Sequence, residues 1–244
     1  MHTKITGVIA SIALALMLTS CASQGNKDPL EGLNRGIYKF NDTVDKAALK
    51  PIAGAYKAVL PTPVRSGVNN FFSNLSTFVS AINNLLQFKF GNAFSEAGRF
   101  VINSTFGIAG VMDVASWDKI EKHTEDFGQT LGRWGVGNGA YLVLPILGPS
   151  TLRDTAGLVV DTLAFDPITY IDDPATRNQL RLLKLFDKRA QYLPGSDLLD
   201  EAALDPYAFM RDAYMQRRAS QDNDGQATDV DNVDEGFYEE SPAE

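Results

Sequence analysis

VRSGVNNFFSNLSTFVSAINNLLQFKF, residues Val64 to Phe90, decides how this 244-residue chain is built. Val64, Val68, Phe71, Phe72, Leu75, Phe78, Val79, Ile82, Leu85 and Leu86 recur at helical spacing and form one long apolar stripe. The other side reads Ser66, Asn69, Asn70, Ser73, Asn74, Ser76, Ser80, Asn83, Asn84 and Gln87, with no charge between Arg65 and Lys89. A helix in bulk water carries Lys and Glu there, because these solvate well and form helices better than Asn or Ser. Asn and Ser instead hydrogen-bond while remaining tolerable at low dielectric. Two arrangements answer the pattern. Either the apolar side meets lipid or core while the uncharged side faces a channel or neighbouring helices, or the segment is an ordinary helical hairpin buried on both sides. Periodicity alone leaves both open.

Helical spacing continues in both directions. Leu30, Leu33, Ile37, Phe40, Val44 and Leu49 predict a helix that Lys50-Pro51 ends. Phe94, Ala97, Phe100, Val101 and Phe106 place another over about Asn92 to Asn103, broken by Gly107 and Gly110. Residues 111–123 read as irregular and Glu125 to Trp134 as a short helix. Thr151-Leu-Arg-Asp154 has capping-box spacing and starts a helix running to about Thr162. A conventionally charged amphipathic helix spans Ala175 to about Tyr192, where Pro194-Gly195 stop it. Asp205-Pro206 opens a last helix ending at Gln216-Arg217-Arg218. There is no internal repeat and no alternating strand ladder, so the expected class is all-α.

The two ends differ from this middle. Lys4, the apolar run Ile5 to Leu18 and then Leu18-Thr19-Ser20 leading into Cys21 have the layout of an export signal over residues 1–20. The apolar run is about 14 residues, short of the ~20 a bilayer span needs. Cys21 is the one cysteine in the sequence, so no internal disulfide can form. Its position resembles a bacterial lipobox, which implies acylation of Cys21 and a lipidated linker over 21–27. The next residue is Ala22, not Asp, so the inner-membrane retention signal is missing and the outer membrane of a Gram-negative cell becomes the expected address. At the other end, residues 219–244 hold nine acids and no Lys or Arg, and read as a disordered acidic tail. Without those charges the net −8 becomes +1. A body this close to neutral excludes the basic stripe that nucleic-acid binding requires.

The stretch GVGNGA, Gly135 to Ala140, has G-x-G-x-x-A spacing but the wrong surroundings for a dinucleotide loop. No strand precedes it, Pro145 would disrupt a helix after it, and no G-K-[ST] follows. Gly135, Gly137 and Gly139 read instead as hinges leading into an extended apolar element, Tyr141, Leu142, Val143, Leu144 and Pro145. His123 is the sole histidine after the signal and sits in a polar segment, for which a surface or capping role is expected. With no G-x-S-x-G motif and Cys21 assigned to the anchor, nucleophilic catalysis lacks its parts. No enzyme activity, cofactor or metal is expected.

Several motifs in a fixed order then resemble one family. Leu-Thr-Ser-Cys21, the run Asp28-Pro-Leu-Glu-Gly-Leu-Asn-Arg-Gly-Ile-Tyr-Lys-Phe-Asn41, Phe71-Phe-Ser-Asn-Leu75, Gly98-Arg-Phe-Val-Ile-Asn103, Glu125-Asp-Phe-Gly-Gln-Thr-Leu-Gly132, Trp134 to Pro145, Leu147-Gly-Pro-Ser150 and Leu152-Arg-Asp154 are similar to the MlaA (VacJ) outer-membrane lipoproteins. The resemblance covers about residues 21–218, with the helical domain at 28–218. It implies a ring of amphipathic helices embedded in the outer membrane around a central amphipathic channel. It further implies phospholipids as cargo, with a trimeric porin, a periplasmic lipid carrier and an inner-membrane ABC transporter complex as partners. Candidate lipid or channel contacts are then Asn69, Asn70, Phe71, Phe72, Ser73, Asn74, Leu75, Asn83, Asn84 and Leu86. The rival expectation is an envelope scaffold that binds porins without moving lipid.

Overall fold

The computed structural model describes residues 28–202 and 204–224. Cys21, the export signal, the linker and the acidic stretch beyond 224 lie outside these residues. The described residues are mostly helical, with one β-hairpin. Helix α1 spans Glu31–Val44 and passes through a wide π turn, Asp45–Leu49, into α2, Lys50–Val59. The break expected at Lys50-Pro51 does not occur. Pro51 falls just after the π turn, and that widened turn accommodates its ring and its missing N–H.

Helix α3, Thr62–Leu86, carries Pro63 in its first turn and packs extensively on α4, Phe90–Thr105. The chain reverses through Gln87 to Lys89, with Phe88 in the left-handed region at φ 62°. After α4 the backbone folds back so closely that a Cβ on Gly107 would lie 2.5 Å from the Asn103 carbonyl oxygen. The short helices α5, Val114–Trp117, and α6, Phe127–Arg133, follow, each opened by an aspartate. Asp113 accepts from the Ser116 N–H, and Asp126 from the Gln129 N–H.

Next comes an element the sequence reading misses. Tyr141–Leu144 forms β1 and pairs antiparallel with β2, Gly148–Thr151, in the register Tyr141 to Thr151 and Leu144 to Gly148. The extended apolar run was legible, but its partner strand was not, because Gly148-Pro149 reads as a turn. Ile146 at φ 67° and Gly148 at φ 88° close the hairpin. Gly135 and Gly139 take left-handed φ of 91° and 68°, whereas Gly137 does not. Thr151 caps α7, Leu152–Val160, by accepting from the Asp154 N–H at 3.1 Å, as the capping-box spacing predicts. A second π turn, Asp161–Phe165, and a 3₁₀ turn, Pro167–Tyr170, lead to α8, Pro174–Ala202. This helix runs through Pro194 instead of ending there. One backbone bond is lost, while Ser196 bonds the Leu193 carbonyl and accepts from Arg189 across the same turn. Last, α9 covers Pro206–Asp222, four residues beyond the expected end.

The apolar core is small. Tyr141, Val143 and Tyr207 are buried together, with Ile37, Tyr38, Met210, Tyr214 and Met215 packed around them. Helix α1 also closes the open edge of β1. Asn34 donates to the Tyr141 carbonyl and accepts from the Val143 N–H, and Asn41 donates to the Leu144 carbonyl and accepts from the Ile146 N–H, at 2.7–3.0 Å. Seven residues of helix rise about 10 Å, as do three residues of strand, so Asn34 and Asn41 match the edge in register.

Candidate functional site

The hairpin of α3 and α4 is built with its polar side inward. Asn74, Thr77, Ser80, Asn83, Asn84 and Gln87 are buried, while Phe78, Leu85 and Phe88 are exposed. On α4, Glu96, Arg99 and Asn103 are buried, and Phe90, Phe94 and Val101 face outward. Among the described residues, 20 polar or charged side chains are buried against nine apolar ones. A protein in water distributes them the other way. A chain surrounded by hydrocarbon has reason to gather its polar groups inside. Among the described residues no helix is long and apolar enough to cross a membrane.

Hydrogen bonds explain how the interior tolerates this. Asn83 donates to Asp161 at 2.9 Å and accepts from Thr130 at 2.8 Å. Asn84 donates to the His123 carbonyl, and Gln87 to Glu125. Lys89 pairs with Glu125 at 2.9 Å and also binds Asp224. Arg99 spans both oxygens of Asp113, which also accepts from Asn103 and Ser116. The polar residues of α3 and α4 thus fix segment 113–130, with its two short helices, to the hairpin. His123 belongs to this frame, with its backbone N–H on the buried Glu96.

A second polar cluster joins the end of the chain to the middle. Arg218 bonds Asp126 at 2.6 Å and Asp154 at 2.7 Å, and Tyr214 donates to Asp154. Burial opposes the Arg218 charge, but the two carboxylates hold its pKa above the ordinary value. Arg153 pairs with Asp222 at 2.8 Å. Asp222 and Asp224, read from sequence as tail, are therefore parts of the fold.

Open space lies where α8 crosses the first half of α3. On one face of α3 a polar cleft of about 350 Å³ is lined by Tyr56, Lys57, Arg65, Asn69, Asn70 and Asp187, among others. On the opposite face an apolar cleft of about 500 Å³ is lined by Val64, Val68, Phe71, Phe72, Leu180 and Leu183, among others. At helical spacing, residues 65, 66, 69 and 70 fall on one side and 64, 67, 68 and 71 on the other. The start of α3 is thus a wall one helix thick between a polar and an apolar space.

The residues singled out in the sequence separate accordingly. Asn69 and Asn70 line the polar cleft, and Phe71 and Phe72 the apolar one. Ser73 is half-buried and accepts from Lys122. Leu75 and Leu86 are half-buried, the Leu86 carbonyl taking the Trp134 indole N–H. Asn74, Asn83 and Asn84 face neighbouring protein, Asn74 through Ser104. The uncharged face is thus divided: its first half borders open space and its second half is an internal frame. Gly135, Gly137 and Gly139 lie on the loop before the hairpin, some distance in sequence from either cleft, and Tyr141 and Val143 are core. Leu142 and Leu144 are half-buried, and Pro145 is exposed at the hairpin turn. Sequence reasoning passed over Lys57, Arg65 and Asp187. Pro61 separates the two cations in sequence, and Asp187 arrives from 131 residues beyond Tyr56, to which it is bonded.

Comparison with known proteins agrees with this architecture. The profile of the MlaA lipoprotein family matches residues 26–221. An uncharacterized protein of Rickettsia typhi is 36% identical over 196 residues, covering 78% of this chain and 76% of its own. The Escherichia coli protein named intermembrane phospholipid transport system lipoprotein MlaA is 36% identical over 235 residues, covering 90% of this chain and 91% of its own. A solved chain, described under the structural basis for maintenance of bacterial outer membrane lipid asymmetry, superposes with a TM-score of 0.71 at 35% identity. The match covers 82% of this chain and 100% of that one. Matched by the family profile over most of its length and by relatives and a solved chain at 35–36% identity, this chain belongs to the MlaA lipoprotein family.

Proposed function

We propose that the protein removes mislocalised phospholipids from the outer leaflet of the outer membrane and passes them toward the periplasm, maintaining lipid asymmetry. Its Shigella flexneri and Escherichia coli relatives are named for phospholipid transport and not for catalysis. The observation that carries the reading is the polarity of the hairpin, apolar outside and hydrogen-bonded inside. Such a body sits among acyl chains without exposing charge to them, where each charge costs about 2.5 kcal/mol or more on insertion scales. The polar cleft behind α3 offers a headgroup a path that avoids hydrocarbon. Transport is passive in this scheme. The protein lowers the barrier for a headgroup, and direction comes from partners: a trimeric porin beside it, a periplasmic carrier below and an inner-membrane ABC transporter complex beyond. An acylated Cys21 holds it to the inner leaflet, facing the periplasm. Gly135, Gly137 and Gly139 act as hinges for the hairpin element.

Deleting the gene and labelling surface-exposed phospholipid tests the reading. Outer-leaflet phospholipid rises on deletion and returns to normal with the intact gene. An unchanged outer leaflet sinks the transport reading and leaves the scaffold.

A further inference from the structure

We propose that Lys57 and Arg65 form a seat for the phosphodiester of a phospholipid in the polar cleft between α2, α3 and α8. The inference rests on the transport reading above and names where that cargo is held.

Both cations line the cleft and are half-buried. Among the described residues, neither forms an ion pair with a carboxylate. Among the described residues the Arg65 guanidinium bonds only the Thr62 hydroxyl, at 2.9 Å. Its Nε–H is enclosed and has no acceptor. A buried donor without an acceptor costs stability, so a ligand that supplies one gains the difference. The acid in the cleft does not compete. Asp187 already accepts from the Tyr56 hydroxyl at 2.9 Å and from Gln191 at 2.7 Å. Burial and that bond to Asp187 push the Tyr56 hydroxyl up to about 12, so it stays a donor to the carboxylate. Lys57 and Arg65 are left with an excess of positive charge over a space walled by Ser66 and Asn69, which add uncharged donors.

Geometry favours a lipid over a free anion. The other face of the same helix turn carries the apolar cleft, with Val64, Val68 and Phe71 opposite Leu180 and Leu183. A phospholipid beside α3 can place its phosphate against the cations and its chains along the apolar wall. Free phosphate uses the first alone. At about 350 Å³ the polar cleft falls within the range of small-ligand sites, ample for a phosphoglycerol group.

The test titrates the full chain in detergent with phosphatidylglycerol, and separately with sn-glycerol 3-phosphate and inorganic phosphate. Lys57→Gln and Arg65→Gln each weaken phosphatidylglycerol binding by about tenfold, and the double variant by more. Lys57→Arg, which keeps the charge, binds within about threefold of the native chain. Phosphatidylglycerol binding that glycerol 3-phosphate cannot match assigns the seat to lipid; equal affinity for inorganic phosphate assigns it to free phosphate and overturns the lipid proposal. Lys57 makes no hydrogen bond or ion pair among the described residues, so its Gln variant keeps the fold and remains decisive if Arg65→Gln does not. Undiminished phosphatidylglycerol binding by Lys57→Gln also overturns the proposal. That outcome is separable from failure of the transport reading, which shows as an unchanged outer leaflet when the gene is deleted.

Discussion

The side chain of Asn83, on the uncharged face of α3, donates to the carboxylate of Asp161 at 2.9 Å. Its carbonyl oxygen accepts from Thr130 at 2.8 Å, so a single amide ties α3 to both α6 and the π turn after α7. Asn83→Leu leaves the buried Thr130 without one partner and the half-buried Asp161 with one bond fewer. Each buried group that loses its bond costs about 1–3 kcal/mol. The variant should unfold at clearly lower temperature in detergent, and a melting curve unchanged from the native chain would show that this bond does not stabilise the fold.

The same carboxyl gives the fold a pH dependence. Burial raises Asp161 from 3.8 to about 6, against the bonds from the Phe127 N–H and Asn83 that lower it. The folded chain therefore holds this proton more tightly than the unfolded one. The stabilisation is full below pH 4 and is lost as pH rises through about 6, with an upper bound of about 3 kcal/mol. Glu96, also raised by burial, acts in the same sense. Asp126 acts oppositely and at lower pH, because Arg218 outweighs burial and holds it low. Thermal melts from pH 4.5 to 7.5 should decline with pH in the native chain and decline less in Asp161→Asn. Equal slopes would remove Asp161 as the source.

Helices α6 and α7 meet backbone to backbone. A Cβ on Gly157 would lie 2.7 Å from the Gly128 Cα, too close for any real contact. Gly157→Ala must push the helices apart and disturb the Asp126 and Asp154 bonds to Arg218. A loss of about 2 kcal/mol or more is expected. Denaturant titration in detergent measures it, and a cost below 0.5 kcal/mol, on the order of a surface change, would contradict the packing.

Phe94 on α4 is 76% exposed, so Phe94→Ser should leave folding nearly unchanged. If the outer face of the hairpin meets acyl chains, the same change removes about 1.5–3 kcal/mol of burial there. Co-sedimentation of the non-acylated chain with liposomes should fall about tenfold or more. Partition equal to the native chain would place this face away from lipid.

For the anchor, Cys21→Ala should abolish incorporation of radiolabelled palmitate and leave the export signal uncleaved or the protein released. Palmitate labelling equal to that of the native chain would assign acylation elsewhere.

Much of the helical plan can be read from residues alone, because caps and periodicity act locally. Asp126, Thr151 and Asp205 each begin a helix where their side chains can accept a backbone N–H. The absence of charge between Arg65 and Lys89 likewise marks an unusual environment before any contact is known. Sequence did not determine which way the amphipathic faces turn. Apolar spacing is the same whether a helix turns its phenylalanines to a core or to lipid, and only the contacts of Asn83, Asn84 and Gln87 with segment 123–130 and Asp161 settle that the polar face is inside. The prolines at 51 and 194 failed as stops because a π turn and a long cooperative helix absorb them. Strand β2 is local but hidden, because Gly148-Pro149 reads as a turn; the cleft of Lys57, Arg65 and Asp187 joins residues distant along the chain, and no local rule encodes such a meeting. Sequence by itself determined the helices, their caps and the family; tertiary structure decided which face is buried, how the hairpin edge is closed and where two cations are left without a carboxylate.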